Sequence, residues 1–244
     1  KCGHDIEKKK DITKEELSRA IRKEIDDSRK ILGLDTLTIA MVHGGSAEQI
    51  KNGMIIEIMQ KLKDEGKIIY CGISTRGEDA AQAAIEGGFF DCLQTGYSIF
   101  DQRQNKHNLR LAVIKDIGVI ARSIFLKGAL TPAYIYLPAE LNLLKNRYSE
   151  IEKIAGAVNN DVPTLALRFA LDNPAISTAL VGTQKIINLE KAVSALEVGP
   201  LPPEIIGQLN HFAINDPNYV DPSYWPATAH GDDKSKIVRH FEAY

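Results

Sequence analysis

The sequence predicts an α/β protein built around a parallel sheet. Short apolar runs rich in β-branched residues alternate along the chain with longer runs of helical periodicity, which is the βαβα pattern of such a sheet. Hydrophobic residues make up 44% and charged residues 25% of the chain, a balance that favours a packed core over disorder. A chain of 244 residues is long enough for one large domain.

The clearest predicted helix covers residues 13–32. Thr13 and Glu16 have the spacing of a capping box, and Gly33 supplies a C-terminal stop. Apolar side chains recur on one face of this segment, at Leu17, Ile21, Ile25 and Leu32.

The same patterns predict the remaining elements. We expect strands at 37–42, 68–73, 91–97, 118–123 and 177–181, with residues 1–3 as the end of a sixth. Helices are expected at 47–65, 78–86, 108–115, 148–158, 163–172, 187–196 and 202–212, and an irregular stretch at 126–142. We interpret residues 1–215 as one domain and residues 216–244 as a tail that packs on it.

Charge, hydropathy and cysteine content limit the partners and the cellular compartment that we expect. A net charge of −2 indicates neither nucleic acid nor an acidic membrane surface as a partner. No apolar run approaches the ~18 residues of a membrane span, and no signal peptide opens the chain. Three cysteines without metal-site spacing indicate a reducing compartment, so we expect a cytoplasmic protein without a metal site. Because the chain begins with Lys1 and not Met, we also expect a partial or processed product.

Polar residues fall at the ends of successive predicted strands. These positions are Lys1, His43, Ser74-Thr75, Gln94 with Tyr97, Arg122-Ser123 and Gly182-Thr183. The carboxyl ends of parallel strands meet at one edge and carry the chemistry of such folds. Gln94 suits a carboxamide, Gly182 allows close approach of a phosphate, and Lys185 adds positive charge at a helix start.

Each of these residues also has a structural interpretation. His43 alone fits a hydrogen-bonded core histidine, and Lys185 fits a solvent-facing lysine. Tyr97 and Phe100 are more typical of packing than of chemistry. The functional interpretation therefore depends on their occurrence at successive strand ends.

The order of these segments resembles the aldo-keto reductases over residues 1–212. The resemblance is carried by short motifs with family spacing: Lys1-Cys2-Gly3, Leu32-Gly33-Leu34-Asp35 leading to Val42-His43, residues 62–68 followed by Gly72-Ile73-Ser74, residues 90–101, residues 120–130, Val181-Gly182-Thr183 with Asn188-Leu189-Glu190, and Gly199-Pro200-Leu201. The resemblance implies a (β/α)8 TIM barrel, here incomplete, with the first strands and helices absent from the sequence. The family's catalytic aspartate and tyrosine belong to that missing part, and no tyrosine of this sequence matches the motif.

The resemblance also implies a role for each residue. Lys1 and His43 would be catalytic, the first tuning the missing tyrosine and the second orienting the substrate carbonyl. The implied cofactor residues fall into three groups: Ser74, Thr75 and Gln94 at the nicotinamide carboxamide, Ser123, Phe125 and Gly128 at the pyrophosphate, and Gly182, Thr183 and Lys185 at the adenosine phosphate. Arg122 stands where many relatives have a tyrosine that stacks on the nicotinamide, and a guanidinium plane can also stack there. Ala192 stands where an adenine-contacting asparagine is common in the family.

The resulting hypothesis is an NADP(H)-dependent oxidoreductase that reduces a small-molecule aldehyde or ketone to the alcohol. The segment 122–126 with Leu137-Pro138 is similar to bacterial relatives associated with sugars, which extends the hypothesis to sugar-type carbonyls. The alternatives are a non-catalytic nucleotide-binding scaffold or regulatory subunit of the same fold, and a lyase or aldolase that uses Lys1 as a Schiff base. The sequence leaves the oligomeric state open.

Overall fold

A computed structural model of the chain describes residues 1–4 and 12–226. Five strands form one sheet in the order β1-β2-β3-β4-β5. β1 pairs with β2, and β2 with β3, in parallel. The strands are β1 (Leu37–His43), β2 (Ile68–Ser74), β3 (Cys92–Gly96), β4 (Gly118–Arg122) and β5 (Thr178–Ala179).

Helices separate the strands, as the sequence predicts. They are α1 (Lys14–Leu32), α2 (Ala47–Lys51), α3 (Met54–Asp64), α4 (Gly77–Glu86), α5 (Asn108–Ile114), α6 (Asn142–Ala157), α7 (Val162–Leu171), α8 (Ile186–Glu197), α9 (Pro203–Asn210) and α10 (Pro217–Val220). No helix among the residues that the structure describes has the length and apolar character needed to cross a membrane.

The chain divides into two compact units. The first unit comprises residues 1–95 and 107–120, and the second unit comprises residues 96–106 and the chain from residue 121 onward. Each unit has its own buried apolar residues.

In the first unit, α1 follows its sequence signals closely. The Thr13–Glu16 capping box is present, and Gly33 ends the helix in the left-handed region with φ of 65°. The apolar face of α1 buries Leu17, Ile21 and Ile25, and this helix packs against α3.

Close strand packing in this unit depends on Gly72 in β2. A Cβ atom at this position would lie 2.6 Å from Cys92 Sγ and 3.0 Å from Met41 Cε. Both distances are shorter than ordinary packing allows. The absence of a side chain at Gly72 therefore lets β1 and β3 place these sulfur-bearing residues beside it.

In the second unit, a buried ion pair and an aromatic stack fix the residues around α7. The Arg103 guanidinium donates to both carboxylate oxygens of Asp101, with Nε–Oδ1 at 2.7 Å and Nη2–Oδ2 at 2.9 Å. Tyr97 stacks on Phe169 of α7, with ring centroids 5.7 Å apart. Tyr97 and Phe100 are both buried, in agreement with the packing interpretation.

Some predicted boundaries were wrong. The helix predicted at 47–65 is two helices, because Gly53 adopts a left-handed φ of 78° between α2 and α3. The helix predicted at 148–158 begins at Asn142. The irregular stretch 126–142 contains 3-10 turns at Leu126–Gly128, Pro132–Tyr136 and Ala139–Leu141.

The strand predicted at 177–181 is reduced to Thr178–Ala179, whose ladder contact is the bond from Leu180 N to Ala121 O at 2.9 Å. Residues 1–3 form only a single parallel bridge, Cys2 with Val42.

The described part of the predicted tail contains α10 and a 3-10 turn at Pro222–Tyr224. Val220 and Trp225 are buried, and the Trp225 indole Nε1 donates to Tyr219 O at 3.1 Å. Residues 227–244 lie outside the described residues. The division into a domain at 1–215 and a tail at 216–244 stays a prediction.

Candidate active site and cavity

Three of the predicted site residues occupy one row across the sheet of the first unit. His43 is the register partner of Ser74, and Ser74 is the register partner of Gln94. His43 and Ser74 are the last residues of their parallel strands, and Gln94 lies two residues before the end of β3. The strand register therefore brings an imidazole, a hydroxyl and an amide to the same edge of the sheet.

Lys1 joins this row through its side chain. Its Nζ donates to Ser74 Oγ at 3.3 Å and makes a second, short hydrogen bond to Gln94 Oε1. Ser74 Oγ donates to the same Gln94 oxygen at 3.1 Å. Ser74 is 6% exposed and Gln94 only 3%, so the ammonium group is held against a largely buried polar pair. We call Lys1, His43, Ser74 and Gln94 the strand-end row.

The backbone around Lys1 explains its position. Cys2 N donates to Met41 O at 2.9 Å, and His43 N donates to Cys2 O at 2.7 Å. These two bonds align the residues after Lys1 with the end of β1. The lysine side chain consequently starts beside the strand that ends in His43.

His4 was not identified by the sequence analysis. Its ring stacks on the ring of His43, with centroids 5.0 Å apart and an interplanar angle of 16°. His4 Nδ1 lies 3.7 Å from Glu24 Oε2, which also accepts from Gly3 N at 2.6 Å. A parallel imidazole pair fixes the plane of the His43 ring.

Thr75 and the cysteines do not present reactive groups at this edge. Thr75 is fully buried, and its backbone N donates to Gln94 O at 2.9 Å. Burial raises the pKa of the Cys2 thiol to about 12 and that of Cys71 to about 11. Because only a thiolate is strongly nucleophilic, these buried thiols are inert at neutral pH.

The second unit contains a cavity of about 1230 Å³. Its walls come from the loop after β4, from α6, from the start of α7, from residues 180–184 and from α8. Five predicted cofactor residues line it, namely Ser123, Phe125, Gly128, Gly182 and Thr183.

The loop after β4 has an unusual backbone. Ser123, Leu126 and Lys127 have φ values of 58°, 43° and 47°, and Gly128 has φ of 92°. Non-glycine residues rarely adopt this left-handed region, and such strain is concentrated at functional sites. Since Ser123, Lys127 and Gly128 line the cavity, the strained backbone forms part of its wall.

Two of the predicted cofactor residues in the second unit, Arg122 and Lys185, do not line the cavity. Arg122 donates from Nη1 to Ser123 Oγ at 3.2 Å, beside the cavity wall. Lys185 is exposed at the N-cap of α8, and its backbone N donates to Thr183 Oγ1 at 3.2 Å. The lysine of α8 that does line the cavity wall is Lys191.

Asp161 and Lys191, which the sequence analysis missed, form an ion pair on the cavity wall. The Lys191 Nζ to Asp161 Oδ2 distance is 2.9 Å. Asp161 also caps α7, because its Oδ1 accepts from Thr164 N at 2.9 Å. Burial acts to raise the pKa of Asp161, but the hydrogen bonds from Thr164 and Lys191 outweigh it and leave the pKa below its usual value. The Asp161-Val162-Pro163 pattern, a capping residue followed by an early proline, was the available sequence signal.

The strand-end row and the cavity wall each carry their own set of polar groups. Hydroxyl, amide and ammonium groups in the strand-end row can hold a carboxamide and an oxygen that gains negative charge. The cavity offers glycines, hydroxyls and lysines, which suit phosphate groups. In the described residues, no group of three or more His, Cys, Asp or Glu side chains is placed to hold a metal ion.

Comparison with solved structures supports the fold class that the sequence predicts. The aldo-keto reductase from Bacillus halodurans, in its apo form, superposes with a TM-score of 0.69 at 23% identity, covering 82% of this chain and 70% of that protein. Such reductases are (β/α)8 barrels, so the predicted fold class, part of a (β/α)8 barrel, is confirmed.

Three curated proteins are similar in sequence. An uncharacterized oxidoreductase, YqkF, of Bacillus subtilis is 26% identical over 80% of this chain and 66% of its own length. The NADH-specific methylglyoxal reductase of Escherichia coli is 24% identical over 73% of this chain and 60% of its own length. The L-galactose dehydrogenase of Arabidopsis thaliana is 29% identical over 86% of this chain and 68% of its own length. The chain thus spans about two thirds of the length of these relatives.

The family model for aldo/keto reductases matches residues 1–214, which contain every predicted site residue. The chain belongs to the aldo/keto reductase family.

Proposed function

We propose that the protein is an NADP(H)-dependent oxidoreductase that reduces an aldehyde or ketone to the alcohol by hydride transfer. The observation that carries this proposal is the strand-end row. Lys1, Ser74 and Gln94 are hydrogen-bonded to one another, and His43 shares their register. A lysine, a histidine and a carboxamide-binding pair at one sheet edge are groups that this reaction uses together with a proton donor.

The bound cofactor would supply the hydride, and the protein residues would position the reactants. Ser74 and Gln94 would hold the nicotinamide carboxamide through their hydroxyl and amide groups. Their burial keeps both side chains in one geometry. His43 would donate a hydrogen bond to the substrate carbonyl oxygen, with its ring plane fixed by His4.

Lys1 would stabilise negative charge as the carbonyl becomes an alkoxide. The proton that completes the alcohol would come from the tyrosine that the family resemblance implies, for which no tyrosine of this sequence matches the motif. Lys1 is exposed, but its ammonium contacts the buried hydroxyl of Ser74 and the buried amide of Gln94, and these fixed dipoles hold it at the strand ends. This role makes Lys1 and His43 the proposed catalytic residues of the chain.

The cavity of the second unit would take the adenosine diphosphate part of the cofactor. Ser123, Phe125 and Gly128 would face the pyrophosphate, and Gly182 and Thr183 the adenosine phosphate. The strained loop, the glycines and the cations Lys127 and Lys191 support this assignment. We infer NADPH in preference to NADH from the family resemblance, while Lys185, which the sequence analysis assigned to the phosphate, does not line the cavity. The Escherichia coli relative is NADH-specific, so the two cofactors must be compared directly.

The substrate class follows from the relatives. One is a methylglyoxal reductase and another an L-galactose dehydrogenase, so small aldehydes, ketones and sugar-type carbonyls are the first to test.

The experiment is a screen of the full-length protein for loss of NADPH or NADH absorbance with aldehydes, ketones and aldoses. The proposal predicts turnover that is lost in His43→Ala and kept in His107→Ala. Cofactor binding without turnover on any substrate would instead favour a non-catalytic nucleotide-binding scaffold. No binding of either cofactor would refute both.

A further inference from the structure

The ion pair of Asp161 and Lys191 sits where the second unit encloses its cavity. Asp161 is the residue before α7, and Lys191 lies in the middle of α8. Both line the cavity wall, and their side chains are about half exposed. The pair is therefore close enough to act on a bound anion and exposed enough to rearrange.

The cavity wall is balanced in charge. Among the described residues, four side chains that are charged at neutral pH line it, namely Lys127, Glu152, Asp161 and Lys191. Two are acidic and two are basic, so at neutral pH their formal charges cancel. Losing either partner of the ion pair would leave the wall with one uncompensated charge.

The position of Asp161 is fixed by the backbone. Its Oδ1 accepts from Thr164 N, which leaves Oδ2 for Lys191. A capping carboxylate cannot turn away without exposing the first N–H groups of the helix. Lys191, in contrast, has a long side chain that can move from the carboxylate to a ligand.

We propose that the Asp161–Lys191 pair is a specificity-determining element that sets the balance between NADPH and NADH. This inference rests on the proposed function, because it assumes that the cavity binds the adenosine half of the cofactor. NADPH carries one phosphate monoester more than NADH, worth about −1.5 to −2 charges at neutral pH. Asp161 repels that phosphate and Lys191 attracts it, so the two side chains act in opposite directions on the affinity ratio.

The test is a double-mutant cycle in the full-length protein, read by calorimetric titration with NADPH and with NADH. Asp161→Asn keeps the helix cap, since asparagine caps as well as aspartate. It is expected to raise the ratio of NADPH to NADH affinity by about 3- to 10-fold. Lys191→Met is expected to lower the ratio by a similar factor. The double variant should return to within about twofold of the wild-type ratio.

Asp27→Asn is the matched control. Asp27 also pairs with a lysine, Lys23, but on the exposed face of α1 in the first unit. Its removal should leave the ratio unchanged. Raising the salt concentration should shrink the effects at Asp161 and Lys191, because exposed charges are screened.

The outcomes separate the two proposals. If both cofactors bind and the ratio does not move in either single variant, the inference is overturned and the proposed function stands. Shifts of the same sign in both variants would also overturn it, because opposite charges must act oppositely. If the wild-type protein binds neither cofactor, the proposed function and the inference fail together.

Discussion

The strand-end row of the first unit and the cavity of the second unit differ in how their residues are held. In the row, Ser74 and Gln94 are almost completely buried, and parallel strand register fixes their spacing. In the cavity wall, Asp161 and Lys191 are half exposed and belong to a helix start and a helix face. Burial thus restricts Ser74 and Gln94 to a single geometry, whereas the half-exposed Asp161 and Lys191 side chains have room to rearrange.

This difference predicts where substitutions should have the largest effect. Changes in the row should affect the reaction rate or the fold, and changes in the cavity wall should affect cofactor choice with little loss of rate.

Lys1→Met in the full-length protein should have the largest effect. It removes the ammonium that contacts Ser74 and Gln94 and would stabilise the developing alkoxide. We expect kcat to fall about 100- to 1000-fold, in line with the loss of one electrostatic or acid–base group. Steady-state kinetics measure this. Lys14→Met, which removes an exposed lysine paired with Glu57, is the control and should leave kcat unchanged.

Gly72→Ala should disturb the row through the fold. The new Cβ would lie 2.6 Å from Cys92 Sγ, so β2 or β3 must shift. We expect a loss of about 1–3 kcal/mol in the free energy of unfolding, as for other overpacked positions. Urea denaturation measures it. Adding Cys92→Ala, which removes the sulfur, should recover part of the loss; additive losses would contradict the packing explanation.

Ser74→Ala should weaken the row without destroying it. It removes the hydroxyl that accepts from Lys1 Nζ and donates to Gln94 Oε1. We expect cofactor affinity to fall about 3- to 10-fold, the value of one or two hydrogen bonds, with a smaller change in kcat. Calorimetric titration measures the affinity. Ser149→Ala, at an exposed hydroxyl on α6, should have no effect.

Asp161→Asn should give the smallest effect, on the pH dependence of stability. The pKa of Asp161 lies below its ordinary value of 3.8 in the folded protein. A depressed pKa means that the carboxylate stabilises the fold above about pH 3.8 and that this stabilisation is lost as the pH falls through the folded value. Thermal denaturation across this acidic range should show a shallower pH dependence for the variant. An identical dependence would show that the ion pair contributes nothing to stability.

The strand-end row could be predicted from the sequence because each of its strand residues is located by its position relative to an apolar run. Apolar runs locate the strands, and the first polar residue after each run gives His43, Ser74 and Gln94. His4 escaped prediction because its contact with His43 depends on the single Cys2–Val42 bridge, which no periodic pattern indicates.

The cavity could be predicted only in part. Ser123, Phe125, Gly128, Gly182 and Thr183 follow strand ends and line it, as the resemblance implies. Asp161 and Lys191 lie 30 positions apart on two helices, and their contact depends on how α7 and α8 pack. Lys185 was the more obvious cation in the sequence, but its position at the exposed N-cap of α8 takes it away from the cavity wall.

The most direct test of the central claim is isotope transfer. Full-length protein would be incubated with a carbonyl compound that it reduces and with NADPH that carries deuterium at both positions of C4 of its nicotinamide ring. The account predicts an alcohol that carries one deuterium on the former carbonyl carbon, formed much more slowly by Lys1→Met. Alcohol product without deuterium, or undiminished labelling by Lys1→Met, would contradict it.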